Sequence, residues 1–152
     1  QQEYGLDYTL FRFFNTYGPK QSTDFVVSKF LKAALANEDL TIHGDGLQSR
    51  TFCYVDDNVD ACLAAFYNDK FVNDAVNVGN EVEVSIVQLA EIIVEITNSK
   101  SEIIHLPARQ EGDMRRRCPN LSRMYADLLP RKPIDLKDGM KKLLDSPRFL
   151  QL

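Results

Sequence analysis

Strand-like and helix-like runs take turns along this chain, an alternation that belongs to α/β folds, in which helices carry the chain between neighbouring strands. Tyr8 to Asn15 is rich in aromatics and nearly continuous in hydrophobicity, the pattern of a strand covered on both faces. From Phe25 to Asn37, the residues Val27, Phe30, Leu31, Ala34 and Leu35 recur at helical spacing. Leu40 to His43 reads as a short strand closed by "GDG", a hairpin turn rather than a phosphate loop, since no helix opens behind it. Arg50 to Val55 alternates, with Arg50, Phe52 and Tyr54 on one side. Asp56 and Asp57 then offer an N-cap to a second helix with the apolar face Val59, Cys62, Leu63 and Phe66. Ala75 to Val78 is a strand ending at "GN". Ser85 and Gln88 form a capping-box pair ahead of the stripe Ile86, Leu89, Ala90 and Ile93. Glu102 to Leu106 is a further strand stopped by Pro107, and helices are expected around Leu121 to Leu129 and Leu136 to Leu144.

Composition narrows the function. The 152 residues suffice for one real core, and a net charge of −4 argues against a general binder of nucleic acid or anionic membranes. No apolar run approaches the roughly 20 residues of a bilayer span. The N-terminus "QQEYGLDYT" lacks signal-peptide features and an initiator Met, so the chain is expected to begin partway through a longer protein. Three cysteines without CxxC or Cys/His spacing suit a reduced, cytoplasmic protein. His43 and His105 lie far apart in sequence and show no metal-ligand spacing.

Several polar residues stand where chemistry is done in α/β proteins, beyond the carboxyl ends of strands. Asn15 ends the first strand; it reads either as an amide on the floor of a ligand crevice or as the start of the turn that follows. Asn77 repeats that position at the exit of "AVNVGN". Arg50 can present its fork to a diphosphate or stand on an exposed edge. The run "RQEGDMRRR", with Arg109, Arg115, Arg116 and Arg117, is either a solvated face or a local concentration of positive potential for an anion.

Taken together, "FRFFNTYGP", "LTIHGDGLQSRTFCYVDDNVDACLAAF" and "VNVGN" resemble, in order and spacing, the extended short-chain dehydrogenase/reductase family. The resemblance is to the C-terminal half of nucleotide-sugar epimerases, dehydratases and decarboxylases, most of all UDP-glucuronate decarboxylases and dTDP-glucose 4,6-dehydratases. It runs from about Leu6 to Asn98 and continues weakly to Leu144. It implies the end of an NAD-binding Rossmann domain in residues 1–20. Residues 21–152 would be mainly a small α/β subdomain for the nucleotide-sugar, with some segments returning to the Rossmann sheet.

The resemblance also implies roles. Asn15 would contact the sugar-nucleotide, and Thr16 would lie against the nicotinamide end of NAD. Thr41, Ile42 and His43 would line the base. Arg50 would hold the diphosphate, with Asn77 and a C-terminal arginine, for which Arg117 in "RRCPN" fits best. The expected ligand is a UDP- or dTDP-sugar, and the longer protein is expected to be a homodimer. Departures are equally informative. The Gly-rich NAD fingerprint and the Tyr-x-x-x-Lys pair are absent from these residues; Tyr17 and Tyr67 have a lysine three residues on, not four. The chain alone is therefore expected to be inactive. Loss of that pair from the longer protein would instead suit a ligand-sensing or interaction module. Phe25 stands where relatives commonly carry a polar or basic substrate contact, and "LLPRKP" replaces the usual Leu-Gly-Trp.

Overall fold

The computed structural model describes residues 3–108, 114–147 and 149. Two bodies of packing organise them. In the first, β1 (Thr9–Phe13) pairs in parallel with β6 (Asp74–Val78), so that Phe11 lies opposite Val76 and Phe13 opposite Val78. Helices α2 (Val55–Tyr67) and α4 (Ser122–Asp127) cover this pair, and Ala61, Ala65, Val76, Val78, Leu121, Met124, Leu128 and Leu129 form one core.

The second body is larger. Here β3 (Leu40–His43) pairs in parallel with β8 (Ile103–Leu106), and α1 (Val26–Leu35), α3 (Ile86–Thr97) and α5 (Leu136–Leu144) pack around them. Leu31, Leu40, Ile42, Leu89, Ile93, Met140 and Leu143 are its buried centre. The α3 capping box is realised: Ser85 Oγ accepts from Gln88 N, and Gln88 Oε1 accepts from Ser85 N. The helical stripes of α1 and α3 and the full span of α5 follow the sequence periodicity, because one apolar side of each helix faces this core.

Short strands stitch the bodies together. β2 (Thr16–Tyr17) pairs in parallel with β5 (Cys53–Tyr54). β4 (Ser49–Thr51) lies between β7 (Glu83–Ser85), antiparallel to it, and β9 (Arg116–Arg117), parallel to it. Sequence pattern does not reveal β2, β7 or β9, since runs of two or three residues carry no readable period.

Four expectations need correction. β1 is not covered on both faces among the described residues: Leu10 is 50% and Phe13 46% exposed, whereas Phe11 packs against the core shared with α2 and α4. "GDG" is a turn with Gly44 and Gly46 both at positive φ, yet no hairpin forms, since β3 takes β8 as its partner and β4 joins another sheet. The Arg50–Val55 strand is interrupted at Phe52, and Val55 already belongs to α2. Finally, Tyr54, not Asp56 or Asp57, is the N-cap of α2, and the helix is turned from its expected orientation. Val59, Leu63 and Phe66 are exposed, while Asp57, Asn58, Ala61 and Ala65 are buried. Small alanines let α2 approach its neighbours closely. Asp57 is tolerated inside because Arg131 Nη1 donates to Oδ1 at 2.7 Å and the Ile134 amide donates to Oδ2 at 2.8 Å.

Candidate functional site

Asn15 is the joint between the two bodies. Its φ of 38° is left-handed, a conformation that Asn tolerates better than most residues, and it carries the chain from β1 into β2. Its Nδ2 donates to the Thr51 carbonyl at 2.8 Å, and its own carbonyl accepts from Cys53 N at 3.2 Å. Asn15 thus makes the turn, and its side chain is pinned to Thr51 in the wall of a cleft.

That cleft comprises two cavities with Asn15, Val26 and Phe52 in the walls of both. One, of about 290 Å³, is bordered by Thr41, Ile42, His43 and Arg50, together with Lys29 and Gln48. The other, of about 340 Å³, is bordered by Phe13, Thr16, Phe25 and Arg117. His43 is held at the rim by an Nδ1 contact of 3.2 Å with the Pro107 carbonyl. Thr16 Oγ1 accepts from Asn58 Nδ2 at 2.6 Å, and Asn58 Oδ1 accepts from the Cys53 thiol at 3.2 Å. The Thr16 hydroxyl thus keeps its proton for a partner in the cavity.

The charge arrangement follows from sheet register. On β4 and β9, Arg50 and Arg117 are direct partners, so two guanidinium groups spring from neighbouring strands on the same side. Arg116 points to the opposite face, where Glu83 binds it through Nε and Nη2 and Ser49 Oγ donates to the same carboxylate. These bonds, with Arg116 first, hold Glu83 down to about 2. Arg50 Nη1 donates to the Ser49 carbonyl at 2.8 Å, and Arg117 lies 5.7 Å from the Phe14 ring.

Of the residues singled out in the sequence, Asn15, Thr16, Thr41, Ile42, His43, Arg50 and Arg117 share this cleft. Asn77 does not. It alternates with the buried Val76 and Val78, lines neither cavity, and donates through Nδ2 to the Asn120 carbonyl at 3.1 Å. The expected convergence of Asn15, Arg50 and Asn77 is corrected accordingly, with Arg117 as the third member. Arg109 lies outside the described residues. Phe52 and Asn58 were missed. Phe52 could have been found from its place beside Arg50 in the alternating run, whereas Asn58 carries no signal beyond its position in a helix.

Known proteins share this architecture. The chain is 42% identical over 106 residues to a UDP-N-acetyl-alpha-D-glucosaminuronate decarboxylase of Bacillus cytotoxicus, covering 68% of this chain and 33% of that protein. It is 34% identical to UDP-glucuronic acid decarboxylase 5 of Arabidopsis thaliana, covering 91% of this chain and 40% of the relative. A UDP-glucose 4-epimerase from Thermotoga maritima, solved with UDP-glucose, superposes with a TM-score of 0.87 at 33% identity, covering 99% of this chain and 49% of that one. The chain therefore spans between a third and a half of these proteins' lengths. Its parallel α/β layout is that of the C-terminal part of such Rossmann-type enzymes. Residues 1–79, more than half of the chain, match the family described as NAD dependent epimerase/dehydratase, and these residues hold the Asn15 joint and the Arg50 strand. By sequence and fold, this chain belongs to the NAD dependent epimerase/dehydratase family.

Proposed function

We propose that this chain is the substrate-binding portion of an NAD-dependent nucleotide-sugar epimerase, dehydratase or decarboxylase that works through a 4-keto sugar, and that it is most like a UDP-glucuronate decarboxylase. The observation that carries this reading is the in-register pair Arg50 and Arg117 at a cleft floored by Asn15. Thr41, Ile42 and His43 border the nucleotide end, and Thr16 stands at the sugar end. The body around β1 and β6 is read as the end of the Rossmann domain, and the body around β3 and β8 as the sugar-nucleotide subdomain.

When bound, NAD would supply a hydride acceptor and donor for the sugar C4. Among the described residues, the Thr16 hydroxyl, polarised outward by Asn58, fits the nicotinamide end of that group. The chain's own task is placement. Two arginines on the diphosphate convert binding energy into a fixed position of the sugar ring, with Asn15 Oδ1 ready to accept from a sugar hydroxyl. A ketone at C4 acidifies neighbouring positions, and that common intermediate opens the routes to decarboxylation, dehydration or epimerisation.

Titration of UDP and of uridine into the chain, followed by ligand-observed NMR, tests the clamp. UDP is expected to bind at least tenfold more tightly than uridine, and Arg50→Ala is expected to weaken UDP binding about tenfold while leaving uridine binding unchanged, which is the scale of a charge-assisted partner to an anion. Equal binding of UDP and uridine by the unaltered chain would remove the diphosphate from this cleft.

A further inference from the structure

The sugar end of the cleft has an unusual wall. Phe25 is 59% exposed at the N-cap of α1, a position that favours Ser, Thr, Asp or Asn, and its side chain makes no cap bond. Helix chemistry gives no reason for a phenyl ring there. Instead Phe25 joins Phe13, Val26, Val27 and Phe52 around the 340 Å³ cavity.

The polar groups of that cavity are few, and most of their capacity is already used. Gln21 donates through Nε2 to the Thr16 carbonyl and accepts at Oε1 from Ser28 Oγ, so its amide is engaged at both ends. Asn15 gives one Nδ2 hydrogen to Thr51, which leaves its second N–H and Oδ1. Thr16 accepts from Asn58, which leaves its O–H as a donor. What remains is the Asn15 Oδ1 acceptor, one N–H each of Asn15 and Gln21, the Thr16 hydroxyl and the Arg117 guanidinium, beside an apolar wall.

We propose that Phe25 is a specificity-determining residue and that this wall receives the methyl group of an acylamino substituent on the sugar. The proposal rests on the nucleotide-sugar reading above and names the class of sugar. An acetamido group carries an N–H to meet Asn15 Oδ1 in place of a sugar hydroxyl and a methyl to cover Phe25 and Phe13, which leaves Arg117 to the diphosphate and the Thr16 hydroxyl to the nicotinamide end. A plain hydroxyl at the same place supplies no methyl and leaves the wall facing water. A carboxylate elsewhere on the ring is compatible with this arrangement, because the wall occupies only part of the cavity lining.

UDP, UDP-glucose and UDP-N-acetylglucosamine are titrated into the unaltered chain and into Phe25→Ala and Phe25→Arg, with saturation-transfer NMR as the readout. UDP-N-acetylglucosamine is expected to bind about tenfold more tightly than UDP-glucose, the lower end of the scale for a methyl in an apolar pocket. Its acetyl methyl is expected to be among the most strongly saturated protons. Both variants are expected to lose that preference, and Phe25→Ala is expected to keep its affinity for UDP. The exposure of Phe25 leaves the core untouched, and circular dichroism verifies that both variants fold. Equal affinities for the two sugars, or a preference that survives Phe25→Ala, overturns the wall alone. Failure of UDP itself to bind overturns the underlying reading and the wall with it.

Discussion

Arg116 and Arg117 are adjacent in sequence and opposite in consequence. Strand alternation sends Arg117 to the cleft beside Arg50 and Arg116 to Glu83 on the other face. Arg117→Ala is therefore expected to weaken UDP binding about tenfold with little change in stability. Arg116→Ala is expected to leave UDP affinity unchanged and to change stability little, as loss of an exposed ion pair does. A UDP titration and a urea melt of each variant separate the two, and reversed results would show that the β9 register is wrong. This distinction was out of reach in the run "RRR", where composition cannot say which arginine faces which side. Asn15 and Arg50 were legible because an amide ending a strand and a guanidinium leading one are informative by type and place. Asn77 has the same local signature and a different partner. Its amide finds the Asn120 carbonyl 43 positions away, a contact that no local pattern encodes.

Among the helices, α5 shows how a long-range contact reverses a local preference. Gly139 lies inside that helix, where Ala would ordinarily stabilise by about 1 kcal/mol. A Cβ at this position would meet Tyr17 Oη at 2.0 Å and Tyr17 Cζ at 2.9 Å. Tyr17 is 1% exposed and its hydroxyl donates to the Leu136 carbonyl, so the ring has no room to retreat. Gly139→Ala is expected to destabilise the chain by about 1–3 kcal/mol despite its better propensity, the range for overpacking a core. Chemical denaturation measures this directly; a stabilised variant would mean that Tyr17 can move aside. In α2 the competition ran against the hydrophobic pattern. Val59, Leu63 and Phe66 form a clean stripe, yet the close approach of β2 and β5 and the Arg131 bond to Asp57 select the side with small and polar residues. The stripes of α1 and α3 were readable because each faces a single core made largely by their own neighbours.

The molecule as a whole is held together where its two bodies meet, around Cys53, Asn58, Asp57 and Arg131. Burial, then the nearby Asp57 charge, raises the Cys53 thiol from 9.0 to about 12, with Arg131 opposing. Burial and Glu81 raise Tyr125 from 10.0 to about 12. Folding favours the neutral form of both groups. Their contribution is complete below the unfolded value near 9 and is lost as pH climbs toward 12. Stability in urea is expected to fall across that window, with Cys53 accounting for about 2–4 kcal/mol of the loss. Cys53→Ala is expected to flatten the dependence, and a midpoint that is constant from pH 8 to pH 11 would contradict this account. Local order in the chain dictated its alternation of elements, the capping box of α3 and the span of α5, since each depends on residues within a turn or two of one another. Strand partnership, the buried side of α2 and the meeting of Arg50 with Arg117 came from elsewhere. Each is a choice among distant segments that look alike in isolation, and packing makes that choice by burying one combination and leaving the rest in water.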